Sequence, residues 1–211
     1  MKRLAPCVLT LFMLTGCGGE TFGGLLYHLF RPHSSKVAAE FKLADGPLLI
    51  LVDDDWDQLN WPPARDLLID EIAKHLRKAK AVNRAFSSQK VNALRRADPK
   101  FNERSISELG KDLGAKQVLW LQVREFVATT SFDTVSEAAR CTVRVKVFDP
   151  HAESKSEMRS WPASREGWYV TTKKSARDLT AYERDEDIAR VLITEAAEAV
   201  AKLFYDHRKP V

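Results

Sequence analysis

Cysteine is scarce in this chain: 211 residues hold three, Cys7, Cys17 and Cys141. Disulfides cannot supply the framework of the fold, so a hydrophobic core must hold it. An excess of one charge is lacking too. The 33 Lys and Arg stand against 29 Asp and Glu, a formal net charge of +4. That near-balance argues against a dedicated nucleic-acid binder, which concentrates cations, and nucleic acid is not expected as a partner. No apolar run after the N-terminal stretch reaches the ~18 residues that a membrane-spanning helix needs. Internal repeats and low-complexity tracts are absent. The histidines, His28, His33, His75, His151 and His207, form no H-x-x-x-H pair of the kind that holds zinc. With 45% apolar and 29% charged residues, the chain has the make-up of an ordinary globular protein.

What is present begins at the N-terminus. Lys2 and Arg3 precede a short apolar stretch, Leu4 to Leu14, which runs into Leu14-Thr15-Gly16-Cys17. At about 11 residues the stretch is too short to cross a bilayer core as a helix. A basic start, an apolar centre and a small residue before a cysteine resemble the lipobox of bacterial lipoproteins. The resemblance implies cleavage before Cys17, diacylglycerol on its thiol and an acyl chain on its amine. Residues 1–16 are then a lipoprotein signal peptide, and the acyl chains together anchor the remainder stably to a membrane. Removal of residues 1–16 takes away Lys2, Arg3 and Cys7, and leaves 195 residues at a net +2. That length suits a single domain. The expected location is the bacterial cell envelope, on a membrane and facing the periplasm or the cell exterior.

Residues 17–46 read as a lipidated tether and lead-in, loosened by Gly18, Gly19, Gly23 and Gly24. The domain proper, residues 47–211, opens with Leu48-Leu49-Ile50-Leu51-Val52, a run without alternation that suits a strand buried on both faces. Pro62-Pro63 then introduce a helix over Ala64 to Ala81, with Leu67, Leu68, Ile72 and Leu76 at helical spacing. A short strand is expected at Lys80 to Arg84, and a second helix at Ser87 to Ala97, capped by serine and stopped by Pro99. Ser105-Ile106-Ser107-Glu108 fits a capping box, with Gly114 in the usual stop position. Gln117 to Val123 reads as a second central strand within Lys116 to Ala128. Cys141, Val143, Val145 and Val147 alternate with Arg140, Thr142, Arg144 and Lys146, which is a half-buried antiparallel strand with its cations outward. Met158 to Pro162 and Gly167 to Thr172 read as one broken strand or a hairpin edge, and Asp185 to Tyr205 as a long amphipathic helix. The expected class is α/β with α+β character: a single domain whose mixed sheet of four to five strands is flanked by helices.

The order of these elements looks like the small α/β domain shared by TolB N-terminal domains, curli-secretion lipoproteins of the CsgG type and LpoB-type activators of penicillin-binding proteins. The resemblance runs over residues 47–205 and is strongest from Leu109 to Phe126, where a glycine-ended helix leads through Ala115 into a buried strand. Asp54-Asp55-Trp56 stands where those families often place Pro-Phe or Asp-Phe. The resemblance implies an accessory or assembly component of the envelope, and it carries over no catalytic residue.

One constellation has the look of chemistry. Asp53-Asp54-Asp55-Trp56-Asp57 follows an apolar strand, where open α/β sheets place ligands. D-x-D in that position resembles the phosphatase motif of haloacid dehalogenases, with Asp53 as nucleophile and Asp55 as acid/base, both on magnesium. That family continues with glycine and threonine or valine, where this chain has Trp56-Asp57. A solvated acidic loop, with a carboxylate capping the helix near Pro62, is the expectation. Cys141 on the apolar side of its strand reads as a core side chain. Arg140, Arg144 and Lys146 form a cationic stripe fit for an anionic partner, such as headgroups, an acidic protein patch or a wall polymer. Trp56, Trp61, Trp161 and Trp168 lie in or beside loops as candidate interface anchors. The resulting expectation is a non-enzymatic envelope lipoprotein. Cys17 is its lipid site, Arg140, Arg144, Lys146, Trp56 and Trp61 its candidate contacts, and an envelope protein its partner, with neither cofactor nor metal. The alternatives are a magnesium-dependent hydrolase on Asp53 and Asp55, or a lipid- or glycan-binding protein.

Overall fold

The structure, a computed structural model, describes residues 35–54, 57–129, 139–154 and 158–209. Two compact units divide the chain: residues 1–35 with 208–211, and Lys36–His207. Of the first unit, the described part is Ser35, Arg208 and Lys209, where the Lys209 N–H donates to the Ser35 carbonyl at 3.3 Å. Cys17 and the tether up to residue 34 lie outside the described residues.

The second unit is built on strand β1 (Pro47–Asp53), whose five central residues are all buried. Leu48, Ile50 and Val52 enter one core, and Leu49 and Leu51 enter another on the opposite face. Such a strand needs cover on both sides, and the chain supplies it by winding first one way and then the other. From β1 it passes through helix α1 (Ala64–Lys78) to strand β2 (Arg84–Ala85), parallel to β1. It then returns through helix α2 (Ser88–Ala97), a 3-10 turn at Phe101–Glu103 and helix α3 (Ile106–Asp112) to strand β3 (Gln117–Ala128), parallel to β1 on its other edge. Leu68, Ile69, Ile72, Ala73 and Leu76 of α1 join the first core; Val91, Phe101 and Leu109 join the second. The direction of winding therefore reverses at β1.

The rest of the chain is a meander. Strand β4 (Ala139–Phe148) runs antiparallel to β3, with a register shift between Val123 and Glu125. Strand β5 (Arg159–Trp161) pairs with β4 opposite Val147 and Phe148, and strand β6 (Trp168–Lys174) pairs with the same edge opposite Ala139 to Val145. Of the two expected arrangements, a broken strand or a hairpin edge, the two form one interrupted edge strand. The sheet order is β2-β1-β3-β4-β5, with β6 also on β4. After a short helix α4 (Ala176–Leu179), helix α5 (Asp185–Lys202) packs beside α1 on the first face. There it buries Ile188, Leu192, Ile193, Ala196 and Val200 over the inward residues of β4, Cys141, Val143, Val145 and Val147. Apolar cover from α2 and α3 on the second face reaches β3 and Phe148. Beyond it, Arg140, Thr142, Arg144 and Lys146 are half-buried and Tyr169 is 49% exposed. Residues of the lead-in also pack: Phe41 and Leu43 lie against the first core, and the Ala44 N–H donates to Gln117 Oε1 at 2.8 Å. Among the described residues no helix is long and apolar enough to cross a membrane.

Two helix ends use the same device with different residues. At the end of α3, Gly114 has φ 64°, its N–H donates to the Lys111 carbonyl, and the Ala115 N–H reaches back to the Gly110 carbonyl. This pair of bonds is the Schellman motif, and glycine suits its left-handed position. At the end of α1, Lys80 takes that position with φ 57°, its N–H donating to Arg77 and that of Ala81 to Leu76. The helix expected to run to Ala81 therefore stops at Lys78, and the strand expected from Lys80 begins at Arg84. A non-glycine residue there carries a cost of ~1–2 kcal/mol. Lys80→Gly is expected to stabilise the protein by about 1 kcal/mol, seen as a raised denaturation midpoint; a lowered one would contradict this account. Gly110 is required for a different reason. A Cβ there would lie 2.6 Å from Pro150 Cβ and 2.9 Å from Val118 Cγ2. Gly110→Ala is expected to cost about 1–3 kcal/mol, while Lys111→Ala beside it stays near neutral, in paired denaturant titrations.

Candidate functional site

The carboxyl end of β1 carries the acidic loop. Asp54 Oδ1 accepts the Gln58 N–H at 2.7 Å and Asp54 Oδ2 accepts the Leu59 N–H at 2.9 Å. This carboxylate closes the loop into α1 instead of capping the helix. The cap position is Pro63, which makes no side-chain cap bond. Asp57, with φ 50°, takes a left-handed conformation that aspartate tolerates better than most residues. Asp55 and Trp56 lie outside the described residues. Among the described residues, no group of three or more His, Cys, Asp or Glu side chains is placed to hold a metal ion.

Beside this loop, on the second face, is a cavity of about 510 Å³. Its apolar wall is Leu51, Phe101, Ile106, Leu109 and Trp120, and Asp53 and Asp54 also border it. Three arginines from three elements converge on it: Arg65 from the first turn of α1, Arg95 from the last turn of α2, and Arg104 just before α3. Arg104 is already neutralised, by Asp112 and by Asp98 at 3.2 Å. Arg95 lies 4.9 Å from the Phe101 ring centroid and donates to Asn92 Oδ1 at 3.3 Å. Asn92 in turn donates to both Asp66 oxygens at 2.8 Å. Burial, and then the neighbouring Arg65 charge, push the Arg95 pKa down, while Asp66 opposes them. Because these arginines come from separate elements, no local motif in the sequence marks them. The one local pointer the sequence carries is that Arg95 and Arg96 make the last turn of α2 basic.

The cationic stripe of β4 divides in two. Arg140 sits 3.6 Å from Glu125, which also accepts from the Thr142 hydroxyl at 3.3 Å. Arg144 and Lys146 instead converge on Trp120, with Arg144 Cζ 5.2 Å and Lys146 Nζ 5.5 Å from its ring centroid. The strand pairing produces this, since Trp120 stands opposite Lys146 in the register. Burial pushes the Lys146 pKa down, and so do Arg144 and Arg159 nearby. Trp120, read from the sequence only as part of a buried strand, is thus both a wall of the cavity and the platform under two cations. The other tryptophans lie elsewhere. Trp61 packs against the first core beneath Arg190, at 5.3 Å. Trp161 stacks on Trp168 at 5.4 Å and meets Phe204 edge-on at 5.8 Å.

Cys141 is fully buried in the first core, and burial, followed by the Glu125 charge, pushes its thiol from 9.0 up to about 12. At neutral pH it is a protonated core side chain, as expected from its strand position. Below pH 9 the thiol is neutral in folded and unfolded chains alike. Between pH 9 and about 12 the unfolded chain loses a proton that the folded chain keeps, so stability falls as pH rises. The slope from this group is at most about 1.4 kcal/mol per pH unit. Chemical unfolding at pH 9, 10 and 11 is expected to show a shallower loss in Cys141→Ala than in the unsubstituted protein; parallel losses would contradict the assignment.

No protein-family model matches this chain, and no curated protein sequence matches it. Solved structures do. The PelC dodecamer from Paraburkholderia phytofirmans is 13% identical, covering 79% of this chain and 95% of that chain, with a TM-score of 0.41. Lipoprotein GNA1162 from Neisseria meningitidis is 12% identical, with coverage of 74% and 97% and a TM-score of 0.43. Hypothetical protein CT253 from Chlamydia trachomatis is 20% identical, with coverage of 75% and 96% and a TM-score of 0.42. At these values no function passes from them to this chain.

Proposed function

We propose that this chain is a bacterial envelope lipoprotein, anchored through lipid on Cys17, whose α/β domain works as a non-enzymatic accessory or assembly component by binding a partner in the envelope. The observation that carries the reading is the N-terminal pattern: Lys2 and Arg3, the apolar stretch from Leu4, and Leu14-Thr15-Gly16-Cys17. Eighteen residues separate Cys17 from Lys36, where the second unit begins. The domain then works next to a membrane. Its contact surface is the part of the sheet that no described helix covers, where Arg144 and Lys146 lie over Trp120 and Arg140 beside Glu125. A partner with acidic groups complements that charge. The resemblance of Leu109 to Phe126 to envelope accessory families supports the same role.

Fractionation of cells that express the chain with Cys17→Ser tests the anchor. The unsubstituted protein is expected to sediment with membranes and to partition into detergent, and the variant to appear in the soluble fraction. A variant that resists extraction from membranes as firmly as the parent would refute the lipid anchor.

A further inference from the structure

Two buried side-chain donors among the described residues find no acceptor, Arg65 Nε and Arg144 Nε. Only the first belongs to the lining of the cavity at the carboxyl end of β1. Arg144 rests on Trp120, which forms part of the cavity wall. A buried N–H without an acceptor is costly, and a charged donor more so, so Arg65 Nε at the cavity calls for an anionic acceptor. The charges agree. Arg104 is spent on Asp98 and Asp112, but Arg65 and Arg95 line the cavity together, two like charges that Asp66 offsets in part and an oxyanion beside them would relieve further. The remaining wall is apolar: Phe101, Ile106, Leu109 and the ring of Trp120. Asp54 has both oxygens committed to backbone N–H groups and, with Asp53, borders the cavity. A ligand charged along its whole length would meet their repulsion, and one charged at a single end would not. The volume of about 510 Å³ falls in the range of small-molecule sites, and the reversal of winding at β1 is where open α/β sheets hold ligands.

We propose that this cavity binds a small amphipathic oxyanion, a phosphate or carboxylate with an apolar body, the oxyanion beside Arg65 and Arg95 and the body against Trp120, Ile106 and Leu109. The site stands whether or not Cys17 carries lipid. Calorimetric titration of the full chain in a neutral detergent tests it, with phenyl phosphate, benzoate, inorganic phosphate and phenol as probes. Phenyl phosphate or benzoate is expected to bind at one site, at least about tenfold more tightly than inorganic phosphate or phenol; the tighter of the two identifies the head group. Arg65→Gln is expected to weaken that binding about tenfold or more, and Lys74→Gln, on the exposed side of α1, to leave it unchanged. Arg95→Gln is the second variant, should Arg65→Gln unfold. Three results would each overturn the proposal: no saturable binding up to millimolar probe, affinity no better than that of inorganic phosphate, or full affinity in a folded Arg65 or Arg95 variant.

Discussion

Every layer of this domain answers to one constraint, the burial of β1 on both faces. Five consecutive apolar side chains alternate between two cores, so neither face tolerates water. A helix on one side satisfies half of the strand. The chain must then cross to the other side before it returns, and that crossing produces both parallel neighbours of β1. It also creates the crevice at the carboxyl end of β1, where α1 departs on one face while α2 and α3 cover the other. The candidate site is thus a by-product of how the first strand is buried.

Trp120 joins this crevice to the outer sheet. It stands on β3 beside β1, where the helical cover of the second face gives out and the meander begins. A wholly apolar side chain in that place would seal the crevice from the sheet. An indole, with one apolar body and a π-face that attracts cations, can border a cavity and still carry Arg144 and Lys146. Two parts of the molecule that were separate in the sequence, the arginines of the cavity and the stripe of β4, share this residue, as wall of the one and platform of the other.

What could be read in the sequence was what short-range physics decides. The β1 run, the alternation in β4, the Ser87 cap and the Ser105–Glu108 capping box all sit within a few residues of the groups they satisfy, and each is in place. The broken edge strand, expected at Met158 to Pro162 and Gly167 to Thr172 or as a hairpin edge, lies in two pieces along one edge of β4. The end of α1 was not legible, because its left-handed position holds lysine where glycine is the usual sign. Nor was the cavity. Arg65, Arg95 and Arg104 gain their meaning from packing between elements, and so does Trp120. The aspartates after β1 drew attention as candidate chemistry, yet Asp54 is occupied in holding its own loop.

The interrupted edge has a bearing on how copies of this protein behave in a crowded compartment. A sheet edge offers unpaired backbone groups to any passing strand. One margin here ends in β2, only two residues long, which is too short a template to recruit another chain. The other is cut between β5 and β6 and finishes in Lys173-Lys174. Short margins and terminal lysines are the means by which sheet proteins resist edge-to-edge aggregation. Under the proposed lipid anchor, copies on a two-dimensional surface meet far more often than they do free in solution, and this sheet ends in a way that suits such encounters.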